Sequence, residues 1–122
     1  YDAQGKRRQI WAGTSNEDSL SYYAWYGGNS DGVQAVGGKE KNLLGLYDMS
    51  GNVDEWCADR YGAYPTSELS NPRGPDTGDN RVIRGGYWFF TARYCRVSNR
   101  NNVSPGYQYF NLGFRVAFSP QF

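Results

Sequence analysis

The apolar positions of this chain fall in short runs that glycine and proline interrupt. With 16 Gly and 5 Pro, no stretch of about 11 residues carries the apolar stripe of an amphipathic helix. Residues 81–84 and 113–118 have the composition and alternation of strands, and residues 43–47 form an apolar run short enough for a buried strand. The pattern therefore predicts short strands, long loops and little helix.

The remaining segments predict loops and termini. Residues 62–80 are rich in proline and small polar residues, which predicts a long surface loop. Residues 1–10 are polar and basic like a frayed terminus, and we expect residues 10–13 to begin the ordered body. Trp88 and Phe114 are assigned to the core. Because the chain begins with Tyr and carries no signal-peptide pattern, we interpret it as the C-terminal part of a longer chain.

Composition is typical of one folded domain. A chain of 122 residues can bury one core. Its mean hydropathy of −0.78 is low, but 17% aromatic and only 20% charged residues argue against disorder. A net charge of +1 gives no electrostatic case for a nucleic-acid partner. No apolar run approaches the roughly 20 residues of a membrane span, so we expect no membrane insertion of this segment.

Residues 87–111 have an unusual mixture of side chains. Tyr and Phe alternate irregularly with Asn, Ser, Thr and Gly, with neither the period of a strand nor that of a helix. Large rigid aromatic rings among small adaptable polar residues are typical of surfaces that bind a partner. The segment therefore predicts binding before catalysis, and the alternative is that these rings form part of the core.

Candidate catalytic groups are few. The chain has no histidine, which removes the commonest general base and metal ligand. Asp48, Asp54, Glu55 and Asp59 cluster in sequence, as a weak candidate for a glycosidase pair and a better one for calcium. The two cysteines are best explained as buried small hydrophobes, with a disulfide or a reactive thiol as alternatives. They are Cys57 and Cys95.

Three motifs carry a family resemblance. They are NLLGLYDMSGNVDEWC at residues 42–57, RVIRGG at 81–86 and LGFR at 112–115. Together they resemble the formylglycine-generating enzyme, or sulfatase-modifying factor, family over most of residues 20–118. The resemblance implies an α+β, C-type-lectin-like fold of short twisted antiparallel strands with extensive irregular loops, as a single domain over residues 1–122.

The resemblance also bears on activity. Enzymes of this family use two nearby cysteines to bind copper, and the matching stretch, residues 87–95, holds only Cys95. A second branch binds iron with histidines, which this chain lacks. We therefore expect no enzymatic activity, with a divergent formylglycine-generating-type oxidoreductase as the alternative.

A structural calcium ion is the one cofactor that the resemblance suggests. The family site would take the side chains of Asp48 and Glu55 and the backbone carbonyls of Gly51 and Val53. All four can donate oxygen ligands. The alternative is that the two carboxylates cap turns.

Within the family frame, a scattered set of positions departs from the expected residues. Every residue type in the set can be reached from an asparagine codon by changing adenines alone. The set is Tyr87, Phe89, Phe90, Thr91, Tyr94, Asn101, Asn102, Val103, Ser104, Gly106, Tyr107, Tyr109, Phe110 and Asn111. The frame arginines are instead expected to bind loop carbonyls. These are Arg84, Arg93, Arg96, Arg100 and Arg115.

This scattered pattern resembles the variable region of the variable proteins of bacterial diversity-generating retroelements, with a spirochaetal source as one option. The resemblance implies a non-catalytic display protein in which residues 81–118 form the variable, ligand-binding region. We expect a protein ligand, on a host or neighbouring cell, and a location at the bacterial surface or outside the cell. A calcium-dependent carbohydrate-binding lectin is a further alternative.

Overall fold

The fold consists mainly of short strands and irregular loops. The computed structural model describes residues 8–118. Its elements in chain order are a first 3₁₀ helix (Glu17–Tyr22), β1 (Asp54–Arg60), β2 (Arg81–Arg84), a second 3₁₀ helix (Ala92–Cys95), β3 (Asn101–Val103) and β4 (Leu112–Gly113). The prediction of little helix is confirmed. Over the same range of residues, no helix is long and apolar enough to cross a bilayer.

The four strands form one mixed sheet in the order β3-β2-β1-β4. The β1–β2 and β2–β3 pairs are antiparallel, as predicted, whereas β4 pairs with β1 in parallel. Because β3 and β4 lie at opposite edges, residues 104–111 must cross from one edge of the sheet to the other. This crossing carries the last third of the predicted binding segment, residues 87–111, past the central strands.

The core lies on both faces of the sheet and beside it. Val82 and Ile83 are neighbours in the central strand β2, and both are buried. Since successive side chains of a strand point to opposite faces, both faces are covered at this point. A separate core cluster is formed by residues distant in sequence, which are Trp11, Leu20, Ala24, Ala92 and Cys95. The Trp11 indole donates a hydrogen bond to the Ala92 carbonyl (2.6 Å), which ties the start of the described chain to the second 3₁₀ helix.

Two strand predictions are wrong. Residues 43–47 form a turn, because the Asn42 side chain accepts hydrogen bonds from the backbone of both Leu44 and Leu46 (2.9 and 3.0 Å). An asparagine that binds backbone amides in this way favours a turn over a strand. Of residues 113–118, only Gly113 lies in a strand, because the pairing of β4 with β1 ends at the Glu55–Gly113 pair. Phe114 is therefore 76% exposed, and its assignment to the core is also wrong.

Several other sequence predictions are confirmed. Residues 62–80 form no helix or strand. Trp11, in the segment expected to begin the ordered body, is buried, whereas residues 1–7 lie outside the described residues. Among the frame arginines, four side chains bind backbone carbonyls, and that of Arg93 is exposed. The four are Arg84, Arg96, Arg100 and Arg115.

Candidate functional site

Eight aromatic rings from residues 87–110 form one connected network, which we call the aromatic cluster. Its members are Tyr87, Trp88, Phe89, Phe90, Tyr94, Tyr107, Tyr109 and Phe110. The rings of Trp88 and Phe110 meet at 6.2 Å between centroids and join the segment after β2 to the crossing segment. The structure thus brings the predicted aromatic residues together.

Most of these rings face solvent. Phe89 is 68% exposed, Phe110 59% and Tyr109 51%, and Tyr94 and Tyr107 are each 45% exposed. Trp88 is half-buried and belongs to the cluster, so its assignment to the core interior is only partly correct. Phe90 is half-buried and packs against the core cluster. Contiguous exposed aromatic surface of this kind is unusual outside interaction sites.

Two glycines set the backbone conformation just before the first residues of the aromatic cluster. Gly85 and Gly86 follow β2 with φ of +100° and +72°, values that favour glycine. A Cβ on Gly86 would lie 2.8 Å from the Tyr94 carbonyl and 3.0 Å from the Cys95 sulfur, so the close packing here also requires glycine. The backbone of Trp88 then donates to the Asn52 carbonyl (3.0 Å). The chain is thereby fixed as it enters the cluster.

The backbone also holds the other end of this segment and the crossing segment. Gly27 donates to the Phe90 carbonyl (2.8 Å), and Asp54 donates to the Asn111 carbonyl (2.9 Å). A turn closes between Ser104 and Tyr107 with a bond of 2.9 Å. Since these bonds use the main chain, the exposed rings are not needed to hold their own loops in place.

The smaller members of the predicted set surround the rings. Asn101, Asn102 and Val103 form the edge strand β3, where Asn102 accepts a bond from the Asn80 amide (2.6 Å). Thr91 is exposed beside the second 3₁₀ helix, and Ser104 and Gly106 are exposed in the crossing segment. Asn111 is half-buried and lines the same small cavity as Tyr87.

Asp54 also lies at this site, although the sequence analysis considered it only in the carboxylate cluster offered for a glycosidase pair or calcium and not in the ligand-binding set. It is buried at the start of β1, and its carboxylate accepts a bond from the Gly86 amide (3.0 Å). Burial raises its pKa to about 6, partly offset by that hydrogen bond. The sequence signal that could have indicated this role is an acidic residue within the alternating polar and apolar segment at residues 52–57, two positions before Trp56.

The two carboxylates predicted to bind calcium differ in their availability in this structure. One Asp48 oxygen accepts a bond from the Gly37 amide (2.7 Å), and the other is buried without a hydrogen-bond partner among residues 8–118, which would suit a cation. The Glu55 carboxylate, however, is paired through both oxygens with the Arg115 guanidinium. Gly51 and Val53 lie beside these two carboxylates in sequence, and calcium binding stays a prediction.

The two cysteines are free thiols, and neither belongs to the aromatic cluster. Cys95 is fully buried, and burial raises its pKa to about 12, with a smaller contribution from the charge of Asp54. Cys57 is half-buried, and burial is the main cause of its raised pKa. A protonated, buried thiol is a poor nucleophile and a poor metal ligand.

Comparison with known proteins identifies the family. The model of the sulfatase-modifying factor enzyme 1-like domain matches residues 2–120. The chain belongs to this family. The resemblance drawn from its motifs, and the fold of strands and loops expected from it, are therefore confirmed.

The relatives include both enzymes and a variable protein. The structure of Treponema denticola variable protein 1 has a TM-score of 0.83 and 43% identity, covering 92% of this chain and 41% of that one. The formylglycine-generating enzyme of Thermomonospora curvata is 34% identical over 96% of this chain and 40% of its own length. The serine/threonine-protein kinase pkn1 of Chlamydia pneumoniae is 44% identical over 62% of this chain and 13% of its own. The chain thus spans less than half the length of each.

Proposed function

We propose that this domain is a non-catalytic ligand-binding module whose aromatic cluster contacts a protein ligand. The observation that carries the proposal is the exposure of a connected aromatic surface on loops that the backbone holds from both ends. The fold match to a variable protein supports the same role. The proposed place of action is the bacterial surface or the extracellular medium, with the ligand on a host or neighbouring cell.

The physical reason for a binding role is the cost of leaving such rings in water. Phe89, Tyr109 and Phe110 each leave about half or more of their surface exposed, and apolar surface removed from water contributes about 25 cal/mol per Å². Tyr and Phe also have few rotatable bonds, so ordering them on binding costs little entropy. A partner that covers these rings would therefore gain most of its affinity from a few of them.

A protein ligand suits this surface better than a free small molecule. The cavity inside the cluster has a volume of about 160 Å³, below the roughly 300 Å³ of pockets that enclose small molecules. The rings around it form an open surface instead. Stable protein complexes bury about 800 Å² on each partner, which a surface of eight rings and its polar rim can supply.

The state of the thiols supports the absence of catalysis. Cys95, the one cysteine in the stretch that matches the copper-binding pair of the enzymes, is fully buried with a pKa raised to about 12. Within residues 8–118, no three side chains of the metal-binding types come together.

The proposal is tested by site-specific photo-crosslinking. A photoreactive phenylalanine analogue replaces Phe110 in one version of the protein and Tyr22, an equally exposed aromatic outside the cluster, in the other. We expect the first version to capture a surface protein from candidate host or neighbouring cells and the second to capture none. Equal capture from both positions would contradict the proposal.

Affinity measurements with the captured protein then assign the contact residues. Combined Phe89→Ala and Phe110→Ala substitution is expected to weaken binding by about 30-fold or more, because truncating central aromatic contacts costs about 2 kcal/mol or more. Tyr22→Ala is the matched control and should leave affinity unchanged. Conversion of a cysteine-containing peptide to an aldehyde by the copper-loaded protein would favour an enzyme, and chelator-sensitive glycan binding would favour a lectin.

A further inference from the structure

The small cavity inside the aromatic cluster has an acidic floor and aromatic walls. Asp54 lines it together with Tyr87, Phe90, Tyr107 and Asn111. Asp54 belongs to the frame of β1, whereas the other four belong to the set of positions predicted to vary. The cavity therefore combines a scaffold charge with walls from the binding segment.

Among residues 8–118, no ion pair joins the Asp54 carboxylate to a cationic side chain. Across residues 8–118, the ion pair that forms joins Arg115 to Glu55 and leaves Asp54 out. The hydrogen bond that the Asp54 side chain accepts comes from the neutral Gly86 amide. A carboxylate that is 95% buried without a counter-charge is costly. A cation from outside would remove part of that cost.

Both the position and the direction of this carboxylate are fixed. The Asp54 backbone donates to the Asn111 carbonyl, and its register with Leu112 sets the parallel pairing of β1 and β4. The Gly86 amide holds one carboxylate oxygen at 3.0 Å. A charge that is held before the ligand arrives needs little reorganisation when it binds.

We propose that this cavity receives a lysine or arginine side chain of the protein ligand. Its cationic group pairs with Asp54, and its aliphatic stem lies along Tyr87, Phe90 and Tyr107. Aromatic faces attract cations as well as apolar stems. The volume of about 160 Å³ suits one side chain. The inference rests on the proposed binding function. It adds that the cavity prefers a positively charged side chain, and because Asp54 belongs to the scaffold, this preference would persist when the wall residues change.

Nuclear magnetic resonance titration of the chain with capped tripeptides tests this site directly. The probes are acetyl-Gly-X-Gly-amide with X as Lys, Arg, norleucine or Glu. We expect the Lys or Arg peptide to shift the Gly86 and Asn111 amide signals saturably, with binding at least tenfold stronger than that of norleucine and no effect from Glu. Norleucine has the stem without the charge, so equal shifts from norleucine would overturn the inference without requiring any variant to fold.

A pair of variants provides a second test of the cation site. Asp54→Asn keeps the oxygen that accepts the Gly86 bond but removes the charge, and should weaken Lys or Arg peptide binding about 30-fold, as expected for truncating one partner of a buried charge pair. Asp59→Asn, at an exposed position of the same strand, should change nothing. Absence of any shift at Gly86, while Phe89 and Phe110 substitution still abolishes capture of the surface protein, would overturn the cation site and leave the proposed function standing.

Discussion

The core cluster and the aromatic cluster are both apolar, yet one is buried and the other faces solvent. Leu20 and Cys95 have no exposed surface, whereas Phe89 and Phe110 expose more than half of theirs. The two clusters meet at Phe90, which packs against the buried residues while joining the exposed rings. The difference shows that side-chain type does not decide burial here. The backbone hydrogen bonds at the ends of the aromatic loops anchor these loops, so the rings can stay exposed without the loops losing their main-chain contacts.

The largest expected effect on stability comes from truncating a residue of the core cluster. Leu20→Ala removes a fully buried side chain and should lower the free energy of unfolding by about 3 kcal/mol, since such truncations leave a cavity. Chemical denaturation measures the change. The nearby Tyr22→Ala, at an exposed position of the same helix, serves as its control. A cost below about 1 kcal/mol for Leu20 would remove the distinction between the clusters.

Asp54→Asn tests the charge that lies between the sheet and the aromatic cluster. Its pKa is raised from 3.8 to about 6 by burial, so the folded state is destabilised at pH above about 6, by up to about 3 kcal/mol. As the pH falls from about 6 toward 3.8, Asp54 takes up its proton in the folded state before it does so in the unfolded state. The destabilisation caused by its buried charge is therefore relieved over this range.

The variant should therefore be more stable than the wild type at pH 7.5, and the two should converge near pH 4. Denaturant titrations across this pH range measure the difference. Tyr87 and Tyr107 line the cavity with Asp54. Burial raises the pKa of Tyr87 and of Cys95, so neither of these two groups titrates in this window. An unchanged difference between variant and wild type over the whole range would contradict the assignment.

A smaller effect is expected at Arg115. Arg115→Gln removes the bonds to Glu55 and to the Tyr47 and Asp48 carbonyls and should cost about 1 kcal/mol, because the pair is partly exposed. The variant also frees Glu55, so millimolar calcium should raise its melting temperature more than that of the wild type. Arg93→Gln is the matched control. Equal stabilisation of the wild type by calcium would show that the ion displaces the guanidinium.

The smallest effect on stability should come from the exposed rings. Phe110→Ala is expected to lower the free energy of unfolding by only about 0.5 kcal/mol, because the ring is 59% exposed and its loop is held by the backbone. Thermal and denaturant unfolding measure it beside Leu20→Ala. A loss as large as that of Leu20 would identify Phe110 as a core residue and contradict the comparison on which the binding proposal rests.

Much of the fold followed from local chemistry. The strand at residues 81–84 and the loop at 62–80 were predictable from local composition. The arginines that bind carbonyls were predictable from the family frame. The segments at 43–47 and 113–118 were not. Asn42 converts the first into a turn. The second loses its partner after Glu55, and neither cause appears in the hydrophobic pattern.

For the site, the sequence by itself determined the composition of the binding segment and its family frame, because residue types and motif spacing are local properties. Only the tertiary structure decided that rings from two segments join through Trp88 and Phe110, and that Phe90 packs the aromatic cluster against the core cluster. It also placed the Asp54 carboxylate in a cavity lined by residues more than 30 positions away, such as Tyr87 and Asn111. The physical reason is the sheet order: with β3 and β4 at opposite edges, residues 104–111 have to cross the central strands.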